Sequence, residues 1–255
     1  RGVAKDEGRA IALFAKACDA GNAKGCFFSV KLSEDEARAT ELYKKACDAG
    51  EARGCYRLGR ILRRLDQNET RADAPLTRAC ELGHMGACET LAALSKDDSW
   101  KFALHEKACN GGVAPSCLEV ALKSAQKKDT VRAVEWLTKG CTLYDPHACV
   151  LLGRAFVVGP GVAKDPARAT LLFTDACNMG AAKGCALLAE QWESGIGVPK
   201  DMTRAAMFWA KACDGGETTS CAVLGSLYEN GSGVARDVHR AMKLEERACM
   251  GGLGV

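Results

Sequence analysis

The chain has 255 residues, 47% of them hydrophobic, with 35 Lys and Arg against 32 Asp and Glu. That balance suits a folded protein, excludes a disordered one, and leaves no basic run for nucleic acid or an anionic membrane surface. No apolar stretch reaches the ~18 residues of a membrane-crossing helix, and the outlying figure is 15 Cys beside only 7 Phe, 4 Trp and 4 Tyr.

The cysteines order the chain. They fall at Cys18 and Cys26, Cys47 and Cys55, Cys80 and Cys88, Cys109 and Cys117, Cys141 and Cys149, Cys177 and Cys185, and Cys213 and Cys221, with Cys249 left over. Every pair is 8 positions apart, and successive first cysteines are 29, 33, 29, 32, 36, 36 and 36 residues apart. A period of this length marks a repeat array in which each segment packs on its neighbours. The spacing predicts one continuous stack, with a partial repeat at 1–21, then 22–50, 51–83, 84–112, 113–144, 145–180 and 181–216, and a terminal repeat at 217–255.

The first predicted helix runs into Cys18. Ala10, Phe14 and Ala17 stand eight, four and one positions before that cysteine, on one helical face that is small at its ends and bulky in the middle. The face returns as Ala39, Tyr43 and Ala46, as Ala72, Leu76 and Ala79, as Lys101, His105 and Ala108, and as Ala133, Leu137 and Gly140. It closes the chain as Ala169, Phe173 and Ala176, Ala205, Trp209 and Ala212, and Ala241, Glu245 and Ala248. Three residues past the cysteine comes a glycine stop in all repeats but one, where Tyr144 takes its place.

Each second cysteine opens the next helix. The residue before it is always small (Gly25, Gly54, Ala87, Ser116, Ala148, Gly184, Ser220), so two helices can approach closely. The later repeats continue with Leu152, Gly153 and Phe156, with Leu188, Ala189 and Trp192, and with Leu224, Gly225 and Tyr228. Turns then follow at Gly159-Pro160-Gly161-Val162-Ala163-Lys164-Asp165, at Gly195 to Asp201 and at Gly231 to Asp237, each ending on an Asp placed to cap a helix.

These L-G-x-x-aromatic and G-x-G-V-x-K/R-D segments, with the cysteine pairs, resemble the Sel1-like repeat family, a relative of tetratricopeptide repeats, and its cysteine-rich branch typified by the Helicobacter cysteine-rich proteins. The resemblance covers essentially the whole chain and is strongest in the last three repeats; Ser29 occupies a Leu position in the first. It implies an all-α fold, a right-handed α/α superhelix (solenoid) of helical hairpins cross-linked by disulfides.

The invariant eight-residue interval carries its own argument. Length varies only inside the hairpins, so something fixes the joint between them, and a covalent bridge across the glycine turn is the simplest cause. Each closes a loop of about nine residues, stabilising by roughly 2.6 kcal/mol in the chain-entropy treatment. Free structural thiols and metal ligation are the competing readings. A metal wants converging ligands, commonly C-x-x-C pairs; the chain has none, and His84, His105, His147 and His239 are scattered. No metal and no cofactor are therefore expected. Disulfides place the protein in an oxidising compartment, secreted or periplasmic. The chain opens at Gly2 to Asp6, before the second helix of a hairpin, and the partner of Cys249 would fall at 257; a stretch of a longer array with Cys249 unpaired is expected.

No conventional catalytic motif stands out. One S-x-x-K occurs, Ser124-Ala125-Gln126-Lys127, and with 10 Ser and 18 Lys a single chance match is unsurprising. The resemblance implies β-lactam binding or weak hydrolysis as an alternative, because such activity belongs to the cysteine-rich branch; the bland reading of Ser124 is a polar helix residue. A second alternative is a mitochondrial intermembrane-space assembly factor resembling the Sel1-like cytochrome oxidase assembly proteins. His105 and Glu245 read as a satisfied or edge histidine and a tolerated terminal charge, and the sequon residues Asn68 and Asn230 as turn residues.

The main expectation is a non-enzymatic scaffold for a protein or peptide, without nucleic acid and without a transmembrane segment. Stacked hairpins expose a concave face on the helices that open with the second cysteine, at two, five and nine positions after it. This face includes Arg57, Arg60 and Arg64, then Glu119, Leu151, Arg154, Leu187, Glu190 and Val223, with Ser226 and Asn230 beyond. The three arginines share one helical face and would suit a carboxylate, or simply form a solvated basic surface. The later repeats offer the more apolar strip.

Overall fold

The computed structural model describes residues 6–30, 36–65 and 70–251, and every regular element among them is a helix. The chain divides into two compact units, 1–113 and 114–255. Unit 1 holds α1 (Glu7–Asp19), α2 (Ala23–Ser29), α3 (Glu36–Asp48), α4 (Ala52–Leu65), α5 (Thr70–Glu81), α6 (Met85–Leu94) and α7 (Asp98–Asn110). Unit 2 holds α8 (Ala114–Gln126), α9 (Thr130–Thr142), α10 (Pro146–Val158), α11 (Pro166–Asn178), α12 (Ala182–Ser194), α13 (Met202–Asp214), α14 (Thr218–Asn230) and α15 (Val238–Met250).

Within each unit every helix packs on the next. Even helices also meet each other, α2 with α4 and α10 with both α8 and α12. The even helices thus lie side by side as one layer and the odd helices cover them, the arrangement of an α/α solenoid. The core between the layers is made from the repeated face. In unit 1 it gathers Leu58, Leu76, Leu91 and Leu104 among alanines and cysteines; in unit 2 it gathers Leu152, Phe156, Phe173, Leu188, Trp209, Leu224 and Leu227.

The joints between hairpins behave as the spacing predicts. Bridges join Cys18 to Cys26, Cys47 to Cys55 and Cys80 to Cys88 in unit 1, and Cys141 to Cys149, Cys177 to Cys185 and Cys213 to Cys221 in unit 2. Their Cα atoms stand between 4.4 Å (Cys18–Cys26) and 4.8 Å (Cys80–Cys88) apart. Cys109 and Cys117 are disulfide-bonded too, and Cys249 is free and exposed. Such separations need helices in near contact, and the small residue before each second cysteine permits it. A Cβ on Gly184 would lie 2.7 Å from that of Ala176. Tyr144, standing where other repeats use glycine, is held in the same left-handed turn at φ 63°.

The long turns of unit 2 repeat a second device. Asp165, Asp201 and Asp237 cap α11, α13 and α15, accepting from the backbone N–H of Arg168, Arg204 and Arg240 at 2.9, 3.0 and 3.0 Å. The same arginines lay their guanidinium groups over Phe156, Trp192 and Tyr228, 4.6, 4.6 and 5.4 Å from the ring centroids, so capping and cation–π contact come from one D-x-x-R turn. The turns also press on the preceding hairpin. Gly197 sits at φ +79°, and a Cβ there would lie 2.4 Å from the carbonyl oxygen of Pro166. Gly197→Ala combines a disfavoured φ with a backbone clash and is expected to destabilise unit 2 by about 2–4 kcal/mol. Urea denaturation checks this; an unchanged midpoint would show that the turn is not held against α11.

Candidate peptide-binding face

The candidate site is built on the even helices, because their core-facing residues fix which others point outward. In unit 2, Glu119 (α8), Arg154 (α10) and Glu190 (α12) are exposed, while Leu151, Leu187 and Val223 are half-buried beneath them. Glu119 shares its place in the repeat with Leu151, Leu187 and Val223, two positions after the second cysteine, while Arg154 and Glu190 stand five positions after theirs, so half-buried apolar and exposed charged side chains alternate along one strip.

At α8–α10 the strip opens into a groove of about 420 Å³. Its wall includes Leu122, Val134, Leu137, Leu151, Ala155 and Val158, with Arg154 beside them. Leu122 is 41% exposed and Val158 65% exposed, both apolar side chains open to solvent. The repeat register explains why the groove forms here. Leu137 and Ala155 face one another across it; one repeat later the same two positions are Phe173 and Gln191, and a repeat beyond that Trp209 and Leu227. The larger pairs fill space that Leu137 and Ala155 leave open.

The electrostatics of the strip are uneven. Burial pushes the Glu190 carboxyl above its usual range, against the pull of Lys183, with Glu193 and Glu217 adding to the rise and Arg154 opposing it. Glu217 caps α14. Burial works to raise its carboxyl, but hydrogen bonds from Ser220 and Thr219 and the charge of Lys183 outweigh it, leaving Glu217 below its usual range. Glu193 accepts from the indole N–H of Trp209 at 3.2 Å. Arg154 and Glu190 attract each other without forming an ion pair.

In unit 1, Arg57, Arg60 and Arg64 are all exposed on α4, but they do not act as one fork. Arg60 lies over the Tyr56 ring at 5.8 Å, and Arg64 pairs with Glu36. Tyr56 stacks on His84 with centroids 4.2 Å apart. His84 caps α6 through Nδ1, and its pKa is lowered, by burial first and by the Arg53 and Arg57 charges as well. Among the described residues, Arg57 is the member of the cluster whose guanidinium is engaged with neither a ring nor a carboxylate.

Other residues singled out by sequence fall as follows. Ser124 is 2% exposed and its hydroxyl donates to the Val120 carbonyl oxygen at 2.8 Å, so the S-x-x-K serine faces the helix packing and not solvent. His105 is buried and partnered, and Glu245 is exposed. Asn230 ends α14 and donates back to the Ser226 carbonyl oxygen; Asn68 lies outside the described residues. Leu122 and Val158 were not picked from sequence, although each stands five or nine places after a second cysteine. Among the described residues no three His, Cys, Asp or Glu side chains converge as metal ligands, and no helix is long and apolar enough to cross a membrane.

Layered helical hairpins, an invariant bridged joint and an exposed strip on one layer define a disulfide-rich α/α repeat protein of the tetratricopeptide-like class. The Sel1 repeat family model matches residues 1–22, 26–51, 121–145, 146–180, 182–217 and 218–253, and the chain belongs to that family. No curated protein matches it in sequence. Among solved structures it is similar to a protective antigen of uropathogenic Escherichia coli strains that displays the same repeat fold, at 19% identity and TM-score 0.84. The match covers 94% of this chain, which spans 56% of that antigen. A Sel1 repeat protein from Oxalobacter formigenes is similar at 18% identity and TM-score 0.66, over 94% of this chain and 96% of that one. Helicobacter pylori cysteine-rich protein B matches at 29% identity and TM-score 0.42, over 50% of this chain and 92% of its own.

Proposed function

We propose that the protein is a secreted or periplasmic scaffold that holds a protein or peptide segment on its even-helix face and performs no catalysis. The observation that carries this reading is the open α8–α10 groove, where apolar side chains meet solvent on the layer that repeat proteins use for partners. Sel1 repeats act as protein-interaction modules, which supports the reading. The disulfides fit an oxidising environment and favour a location outside the cytoplasm.

A displayed random-peptide library selected on the oxidised protein tests this. Enriched peptides are expected to lose binding at least tenfold to Val158→Arg, which places a charge at the groove. Leu171→Arg changes an equally exposed position on the odd layer and is expected to leave binding intact. Failure to enrich any peptide, or equal binding to both variants, would count against a peptide-holding face.

A further inference from the structure

The strip is charged unevenly, and its charges specify what kind of segment it takes; this step rests on the reading above. Three features lie in order along unit 2. The apolar groove comes first, then Arg154 at its wall, then Glu190 at the equivalent position one repeat on. Neither Arg154 nor Glu190 is spent within the protein: among the described residues no ion pair or side-chain hydrogen bond holds either one. The other carboxylates around Glu190 are committed. Glu193 is held by Trp209, and Glu217 by Ser220, Thr219 and Lys183.

Glu190 is also poorly placed for the protein's own benefit. Although the residue as a whole is exposed, its carboxyl loses part of its hydration and feels the charges of Glu193 and Glu217, which makes the ionised form costly. A cation arriving from outside would relieve that cost. Arg154, with a planar fork open at the groove, matches a carboxylate. Neighbouring helix axes lie ~10 Å apart and an extended chain rises ~3.3 Å per residue, so the two charges address ligand residues about three positions apart.

We propose that unit 2 binds an extended peptide segment that places an apolar side chain in the α8–α10 groove, a carboxylate on Arg154, and a Lys or Arg on Glu190 about three residues beyond the carboxylate. The three contacts fix both the register and the direction of the segment along the helices.

The test is a charge swap, using fluorescent synthetic peptides chosen by the display selection. Peptides enriched on the wild-type protein are expected to share an apolar, acidic, basic order. Arg154→Glu and Glu190→Arg are each expected to weaken them tenfold or more, and the double swap is expected to prefer a peptide with its two charges exchanged. Glu190→Gln should lose the preference for the basic residue while melting no lower than wild type at pH 7, since the carboxyl is raised and its charge opposes folding; a merely structural Glu190 would instead cost stability. If peptides bind in the groove, are lost with Val158→Arg, and yet ignore both swaps, this assignment fails and the scaffold reading stands. If no peptide is enriched, both fall.

Discussion

Reduction of the disulfides is expected to unfold the protein at 37 °C or to lower its thermal midpoint by tens of degrees. Each bridge closes a loop of about nine residues and removes roughly 2.6 kcal/mol of unfolded-chain freedom. Three such bridges lie within each unit, at Cys18–Cys26, Cys47–Cys55 and Cys80–Cys88, and at Cys141–Cys149, Cys177–Cys185 and Cys213–Cys221. Their joint contribution of up to about 8 kcal/mol per unit rivals the whole net stability of an ordinary domain, 5–15 kcal/mol. The cores they reinforce are thin, built largely from alanine, leucine and cysteine itself. Circular dichroism melts with and without reductant, beside a thiol titration, measure this. A fully reduced protein that melts within about 5 °C of the oxidised one would show that packing alone sustains the stack.

Phe173→Ala is expected to cost unit 2 about 3–5 kcal/mol. Phe173 is 1% exposed, and its ring fills the space left by the missing side chain of Gly153: a Cβ there would sit 2.5 Å from the ring. The equivalent position one repeat earlier is Leu137, which the fold tolerates beside an open groove. Phe173→Leu is therefore expected to cost less than half as much as Phe173→Ala. Urea midpoints of the two variants check the pair; equal losses would mean that the site cannot relax as the Leu137 site does.

Much of the fold was legible because it is written in residues of extreme size or geometry at fixed offsets. Cysteine, alanine and glycine recur in register, and Asp165, Asp201 and Asp237 mark three helix starts. The register even disposes of the S-x-x-K motif. Ser124 stands seven places after Cys117, where Phe156, Trp192 and Tyr228 stand in later repeats, a position turned toward packing. The D-x-x-R contacts were equally available, since each arginine follows its aromatic partner by 12 residues. The exposure of Glu119, Arg154 and Glu190 was readable too, but the groove was not. A groove is missing volume, and it depends on Leu137 and Ala155 together, on two helices, against what fills the same space elsewhere. The Arg57, Arg60 and Arg64 cluster shows the converse: spacing puts three charges on one face, but Tyr56 and Glu36 engage two of them.

The bridged joints also set how the chain would carry tension. Eight Cα steps drawn straight span ~28 Å, yet the bridge holds the Cα atoms of Cys177 and Cys185 at 4.5 Å. Force applied along unit 2 passes through the sulfurs and bypasses the glycine turn, which stays slack. A pulled, oxidised array would lengthen only by unravelling the segments between bridges, and each turn would remain a closed ring of hidden length until a reductant released it. A protease that cut one of these turns would likewise leave the two pieces tied together.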